Sequence, residues 1–142
     1  MTELRTRRGI HRIRVAYYDT DQARVVHHAS YLRFLEVARV EFWRGHGLDY
    51  DRFEKTTGLG LPVAEVRLRY RIGARFDDVL EIETWTRKAS RASVWLDSLV
   101  RRGQEVVTEG SVRLACVALA DGTIRRIPDS VLDACLETGH GI

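Results

Sequence analysis

The spacing of apolar and polar positions changes period along this chain. Between residues 10 and 19, in IHRIRVAYYD, Ile13, Val15 and Tyr17 alternate with Arg12 and Arg14, which predicts a first strand with one buried face. From about residue 29 to 45 the spacing lengthens. Tyr31, Phe34, Leu35, Ala38 and Phe42 fall on one stripe of a helix, the main helix of the chain. Leu32, Val37, Val40 and Trp43 lie off that stripe, so the apolar surface wraps most of the helix. A helix backed by solvent would not look like this. It calls for a sheet curled around it, a partner subunit on its other side, or both. Gly45 and Gly47 punctuate its end, and LDYDRFEKTTGLG reads as a short helix and loop leading to Pro62.

Past Pro62 the period of two returns. VAEVRLRYRI alternates Val66, Leu68, Tyr70 and Ile72 with Glu65, Arg67, Arg69 and Arg71, a strand with a buried and an exposed face. DVLEIETWTRK, ASVWLDSLVR and EVVTEGSVRLACVAL follow as further strands, with a hairpin turn at Arg102-Gly103-Gln104 and another turn at Asp121-Gly122. IPDSVLDACLE closes the pattern as a short helix, with Pro128 near its start and Val131, Leu132 and Cys135 on one face. No internal repeat, low-complexity segment or linker interrupts this order. One strand, a long helix and then consecutive strands predict an α+β domain whose antiparallel sheet packs on the helix. A sheet wrapped around one nearly all-apolar helix is the hotdog arrangement.

Composition narrows the picture. At 142 residues with 44% hydrophobic positions, the chain suits a single domain over 1–142 with its core at about 10–136. Charged residues make up 30% and the net charge is +3, which favours small anionic ligands such as phosphorylated compounds over nucleic acid. MTELRTRRG has no apolar export segment, and no run approaches the roughly 20 apolar residues of a membrane span, so the expected address is the cytoplasm. Cys116 is expected in a buried strand as a core thiol, and Arg7 and Arg8 in a mobile tail.

The chemistry concentrates in YDTDQARVVHHASY, residues 18–31, where the strand pattern gives way to the helix. His27 and His28 are adjacent, about 100° apart if helical, and no Cys or third His stands at ligand spacing, which argues against a metal site. Ser30 lacks the Gly-x-Ser-x-Gly surroundings of a hydrolase nucleophile and reads as a helix cap. Taken alone, Asp21 also reads as a cap or loop anion, and Asp19 as a residue that holds the loop. Glu36 and Arg39, three apart on the helix, are expected to pair in a half-buried structural contact.

The run YYDTDQARVVHHASYLRFLEVAR resembles the signature of the 4-hydroxybenzoyl-CoA thioesterase group of hotdog acyl-CoA thioesterases, most closely its YbgC-like branch. That branch has Asp-Thr-Asp, then Val-Val, an aromatic or His pair, a Tyr opening the helix, and Glu-x-x-Arg within it. Length, strand order and helix position match over residues 10–136. The resemblance implies a thioester hydrolase acting on acyl-CoA, without metal or prosthetic cofactor. It assigns catalysis to Asp21, with the backbone N–H near His28 polarising the thioester carbonyl, and places His28 in the substrate pocket. Val26, His27 and Tyr31 become candidate pocket residues, Tyr31 with a core role competing. The branch commonly has Gly where this chain has Arg24, which leaves either a stiffer turn or a guanidinium that approaches the ligand.

The residues can support such chemistry on physical grounds. A carboxylate facing a helix start lies near N–H groups that have no intrahelical partner and can hold a developing oxyanion. A leaving thiol with a pKa of about 8.5 needs no strong general acid. Asp21 can then deprotonate water or attack the carbonyl itself, and the sequence leaves both open. TRKASRASV sets Arg87, Lys88 and Arg91 beside Ser90 and Ser93 at a turn, a candidate contact for the coenzyme A phosphates, with a solvated basic loop as the alternative.

Two rivals remain. A hotdog hydratase or dehydratase would pair Asp21 with His five positions on, where this chain has Val26. A non-catalytic acyl-thioester sensor could keep the pocket and lose the carboxylate, yet Asp21 is present. The two-sided apolar helix predicts a homo-oligomer, and the resemblance implies a dimer or tetramer and a link to the Tol-Pal envelope system.

Overall fold

The structure, a computed structural model, describes residues 6–137. Strand β1 (Arg8–Arg14) leads through a 3-10 turn (Tyr17–Asp19) to helix α1 (Ser30–Arg44). Helix α2 (Tyr50–Thr57), β2 (Leu59–Gly60), β3 (Val63–Tyr70), β4 (Val79–Ala89), β5 (Val94–Arg102), β6 (Glu105–Leu114), β7 (Val117–Ala118) and α3 (Asp129–Cys135) follow. Five strands pair antiparallel in the order β1-β4-β5-β6-β3, and β2 pairs with β7. The tight β5–β6 hairpin places Gly103 at φ +61, a left-handed conformation that glycine adopts without a steric cost.

Period-two patterning puts Leu80, Ile82, Thr84 and Thr86 of β4 on the inner face, in register with Val100, Ser98 and Leu96 of β5. Against that face α1 buries Tyr31, Phe34, Leu35, Ala38 and Phe42, the predicted stripe. Helix and sheet approach closely at Gly110 of β6, where a Cβ would stand 2.6 Å from Leu35 Cδ1. This is the α+β hotdog layout of a sheet wrapped on one long helix. A second core forms where Trp43, off the stripe, stacks on Tyr50 at 5.2 Å and packs with Phe53, Leu132 and Cys135. Part of the helix's second apolar side is thus covered by α2 and α3 of the same chain. Leu32 stays 44% exposed.

Several expectations are corrected. The first strand stops at Arg14, because Val15 N–H turns aside to Asp78 O and the Asp19 carboxylate accepts Ala16 N–H to close the 3-10 turn. Tyr17 is accordingly exposed. Arg7 and Arg8 are not a tail: Arg7 donates to Asp133 O, and Arg8 opens β1 with its guanidinium 3.1 Å from Glu83. β3 has no well-covered face, since it is the sheet edge farthest from β1, and Val63, Val66 and Tyr70 remain exposed. The last long strand breaks after Leu114, leaving Cys116 buried between β6 and β7 rather than in a strand, its thiol pKa pushed up by burial. Glu36 and Arg39 form no close ion pair among the described residues. Arg39 is buried and Glu36 exposed, and desolvation lowers the Arg39 pKa against the opposing pull of the Glu36 charge.

Candidate functional site

The junction between β1 and α1 is built around Asp19. Its side chain is only 1% exposed, and both carboxylate oxygens lie 2.7 Å from the Arg33 guanidinium on the first turns of α1. Its backbone oxygen accepts His27 N–H at 2.9 Å and Ser30 Oγ–H at 3.0 Å. Ser30 therefore ties the loop to the helix instead of capping it. The N-cap is Ala29, with no side-chain cap bond. Asp19 fixes where the helix begins relative to the loop that precedes it.

That loop is a small hairpin. Thr20 bridges to Val26, Asp21 N–H donates to Val25 O at 2.9 Å, and the tip carries residues 21–25. Asp21 Oδ1 accepts Ala23 N–H at 2.8 Å and Val25 N–H at 3.2 Å. Among the described residues Oδ2 accepts nothing, so one oxygen is held and the other is open to solvent. Arg24 has φ +65, the left-handed region that favours glycine, so an arginine here holds a strained backbone conformation. Its guanidinium lies 4.9 Å over the Phe76 ring, and its carbonyl accepts Phe76 N–H. Residues 73–78 grip the hairpin further through Val26 N–H to Ala74 O. Asp78 anchors this segment by accepting Arg75 N–H and the Arg102 guanidinium, both at 2.9 Å. Burial pushes the Asp78 pKa up, but those hydrogen bonds outweigh it and hold the carboxyl below its ordinary value.

Beside the hairpin opens a cleft of about 230 Å³ lined by Val25, Val26, His28, Tyr31, Tyr70 and Arg71 together with Ile72 and Gly73. The His28 ring stacks on Tyr70, centroids 3.9 Å apart and planes 13° from parallel. Tyr31 is buried beneath them, its hydroxyl accepting Ala74 N–H at 3.5 Å and its pKa raised by burial. Of the sequence candidates, Val26, His28 and Tyr31 meet in this cleft. Asp21 stands on the hairpin tip outside its lining, His27 is exposed, and Arg24 turns to Phe76. At the helix start His27 O accepts Ser30 N–H and His28 O accepts Tyr31 N–H, while among the described residues the N–H groups of His28 and Ala29 have no acceptor. An unpaired N–H pair at a helix start can hold an oxyanion.

The basic turn is divided. Arg87 binds Asp97 and Ser111 and stacks 4.6 Å over Trp95. Arg91 ties Ile127 O and Asp129, and Ser90 organises its own turn by accepting the N–H groups of Ala92 and Ser93. Lys88 is exposed. The turn lies far from the cleft within one chain. β5 runs from Val94 at the turn to Val100 near the cleft, six residues or about 20 Å. Among the described residues no three His, Cys, Asp or Glu side chains gather as a metal site, and no helix is long and apolar enough to cross a membrane.

Sequence reasoning missed Arg33, Tyr70, Asp78 and Arg102 as parts of this site. Their partners lie 14 to 42 residues away or across a crossing loop, where local spacing carries no signal.

Comparison with known proteins adds independent findings. Residues 15–135 match the family model described as the thioesterase-like superfamily. The acyl-CoA thioesterase YbgC of Haemophilus influenzae is 32% identical over 75% of this chain and 79% of its own length. A hypothetical protein from Thermus thermophilus superimposes with a TM-score of 0.82 at 36% identity, covering 90% of this chain and 95% of that one. The DHNA-CoA thioesterase of Staphylococcus aureus superimposes at 0.81 with 27% identity, covering 84% and 80%.

Proposed function

This chain belongs to the thioesterase-like superfamily and is a thioester hydrolase, and from that premise we propose that it cleaves acyl-CoA to a free carboxylic acid and CoA at the β1–α1 junction. The observation that carries this reading is the carboxylate with one held and one open oxygen, on a hairpin locked to a helix start with unpaired N–H groups. The substrate carbonyl oxygen receives the N–H groups of His28 and Ala29, which stabilise the charge that develops in the transition state. Asp21 Oδ2 takes a proton from water as the water oxygen bonds to the carbonyl carbon. The C–S bond then breaks and the thiolate leaves, recovering that proton. In the covalent alternative Oδ2 attacks the carbonyl, CoA leaves first, and water hydrolyses the mixed anhydride. Val26 and Tyr31 contribute to the acyl pocket, while His27 and Arg24 serve the loop. No metal or prosthetic group takes part.

The active unit in this reading is a homo-oligomer. β3 leaves one backbone edge unpaired and exposes Val63, Val66 and Tyr70, a surface that antiparallel pairing with a second β3 would cover. A two-fold axis near the middle of β3 carries the partner's basic turn to the cleft end of the joined sheet. It then stands two to three strands beyond the seam, about 10–15 Å at roughly 4.8 Å per strand. Lys88 and Ser93 of that turn meet the CoA phosphates, within reach of an extended pantetheine arm, and Arg87, Ser90 and Arg91 hold the turn in shape.

Thiol release from a panel of short, long and aromatic acyl-CoAs tests the proposal. Turnover on at least one class supports it. Tight acyl-CoA binding with no thiol release from any would overturn it in favour of a sensor, and water addition to enoyl-CoA in favour of a hydratase.

A further inference from the structure

We propose that Tyr70 is a positioning residue that aims the carbonyl-polarising N–H groups of the helix start. The inference rests on the reading of His28 and Ala29 as oxyanion donors. Tyr70 ends the edge strand β3, while the helix start belongs to a different part of the chain. Its hydroxyl donates to His28 O at 3.3 Å, and its ring lies flat against the His28 imidazole at 3.9 Å. Tyr31 also packs against the Tyr70 ring, tilted with centroids 5.6 Å apart.

The peptide plane makes these contacts consequential. In a trans peptide the C=O of one residue and the N–H of the next point in opposite directions and cannot rotate independently. Holding His28 O toward Tyr70 therefore fixes the Ala29 N–H on the opposite side. The preceding peptide is anchored in the same manner, since His27 O accepts Ser30 N–H and so directs the His28 N–H. The first anchor is local to the helix, but the second depends on a hydroxyl from β3. Among the described residues the only other donor to His28 O is Tyr31 N–H, also at 3.3 Å, a long bond for this geometry. Without the Tyr70 hydroxyl the His28–Ala29 peptide has little to stop it from tilting. The stacked ring limits the same motion through the His28 side chain.

The sequence pattern places Tyr70 on the inner, apolar row of β3 with Val66 and Leu68, and a packing role alone would be served by phenylalanine. Tyr70→Phe keeps the ring and the apolar row, and Tyr70→Leu removes the stack as well. The proposal expects a kcat about 5- to 10-fold lower for Tyr70→Phe and lower again for Tyr70→Leu. KM and the inhibition constant of free CoA should stay within twofold, because aim matters in the transition state more than in ground-state binding. Melting temperature and light scattering check that folding and assembly survive. The carbonyl carbon-13 shift of His28 and the amide shift of Ala29 should move in Tyr70→Phe whether or not the protein turns over. Wild-type kcat in a folded Tyr70→Phe variant, a loss confined to KM, or unmoved His28 and Ala29 resonances would each overturn the proposal. If the resonances move while the wild type releases no thiol from any acyl-CoA, the positioning stands and the hydrolase reading of the site fails.

Discussion

Replacing Arg33 by leucine removes the partner of a carboxylate that the fold has taken out of water. Asp19 is 1% exposed and bound by Arg33 through both oxygens, so among the described residues the variant leaves a buried charge with only Ala16 N–H to satisfy it. Breaking a buried pair on one side costs about 3–5 kcal/mol. Arg33 itself is 37% exposed, so water can follow the smaller side chain toward Asp19, and a loss somewhat below that range, about 2–3 kcal/mol, is expected. For a domain of this size that is a fall in melting temperature of roughly 10 °C. Arg33→Lys should fall between, because an ammonium supplies charge without the planar two-point contact. The assay is thermal and urea unfolding at one fixed protein concentration, since assembly would otherwise shift the midpoint. Thiol release should fall in parallel, because Asp19 also receives His27 N–H and Ser30 Oγ–H and so sets the helix start against the hairpin. Arg33→Leu melting within 2 °C of wild type (a margin of about 0.5 kcal/mol) would refute this account of the junction.

Further outcomes follow from the same geometry. Arg24→Ala should destabilise the chain by about 0.5–1 kcal/mol, losing the contact with Phe76 while keeping the left-handed strain, whereas Arg24→Gly should come out near wild type because relief of strain offsets that loss. Equilibrium unfolding checks the order of the two. Asp78 has a depressed pKa when folded, so its stabilisation is present above the unfolded value of about 3.9 and is lost as pH falls through the folded value. Stability measured downward from pH 5 should fall less steeply in Asp78→Asn than in wild type. Lys88→Ala should raise KM for acyl-CoA with kcat unchanged, while Arg91→Ala should lower the melting temperature through lost contacts to Ile127 and Asp129, as paired kinetics and melts would show. The Cys135 thiol, its pKa pushed by burial to about 11, should resist a thiol reagent until the protein unfolds.

Much of the fold was legible in local periodicity. The stripe from Tyr31 to Phe42 and the strands β4 and β5 needed only spacing, and Gly103 and Gly122 marked turns by their left-handed geometry. What failed depended on neighbours distant in sequence. The first strand ends where Val15 meets Asp78, and β3 looks half-buried by pattern but lies at a sheet edge where Val63 and Val66 stay exposed. In the site, the Asp-Thr-Asp run and the His pair located the junction. The division between them was less visible: Asp19 is buried by an arginine one helix away, and Asp21 is left open because its own loop engages only one oxygen. The spacing of Glu36 and Arg39 suggested an ion pair on the helix, whereas the close contact of this region runs from the helix back to the loop.

The central claim is that Asp21 performs the chemistry, and Asp21→Asn tests it with little structural disturbance, since an amide oxygen can still accept Ala23 N–H and Val25 N–H. The measurement is the rate of thiol release from the best acyl-CoA substrate by wild type and variant, with melting temperatures compared in parallel. The account predicts an unchanged melt and a kcat lower by at least about 100-fold, the scale of losing a general base or nucleophile. A folded Asp21→Asn variant that turns over at the wild-type rate would contradict it.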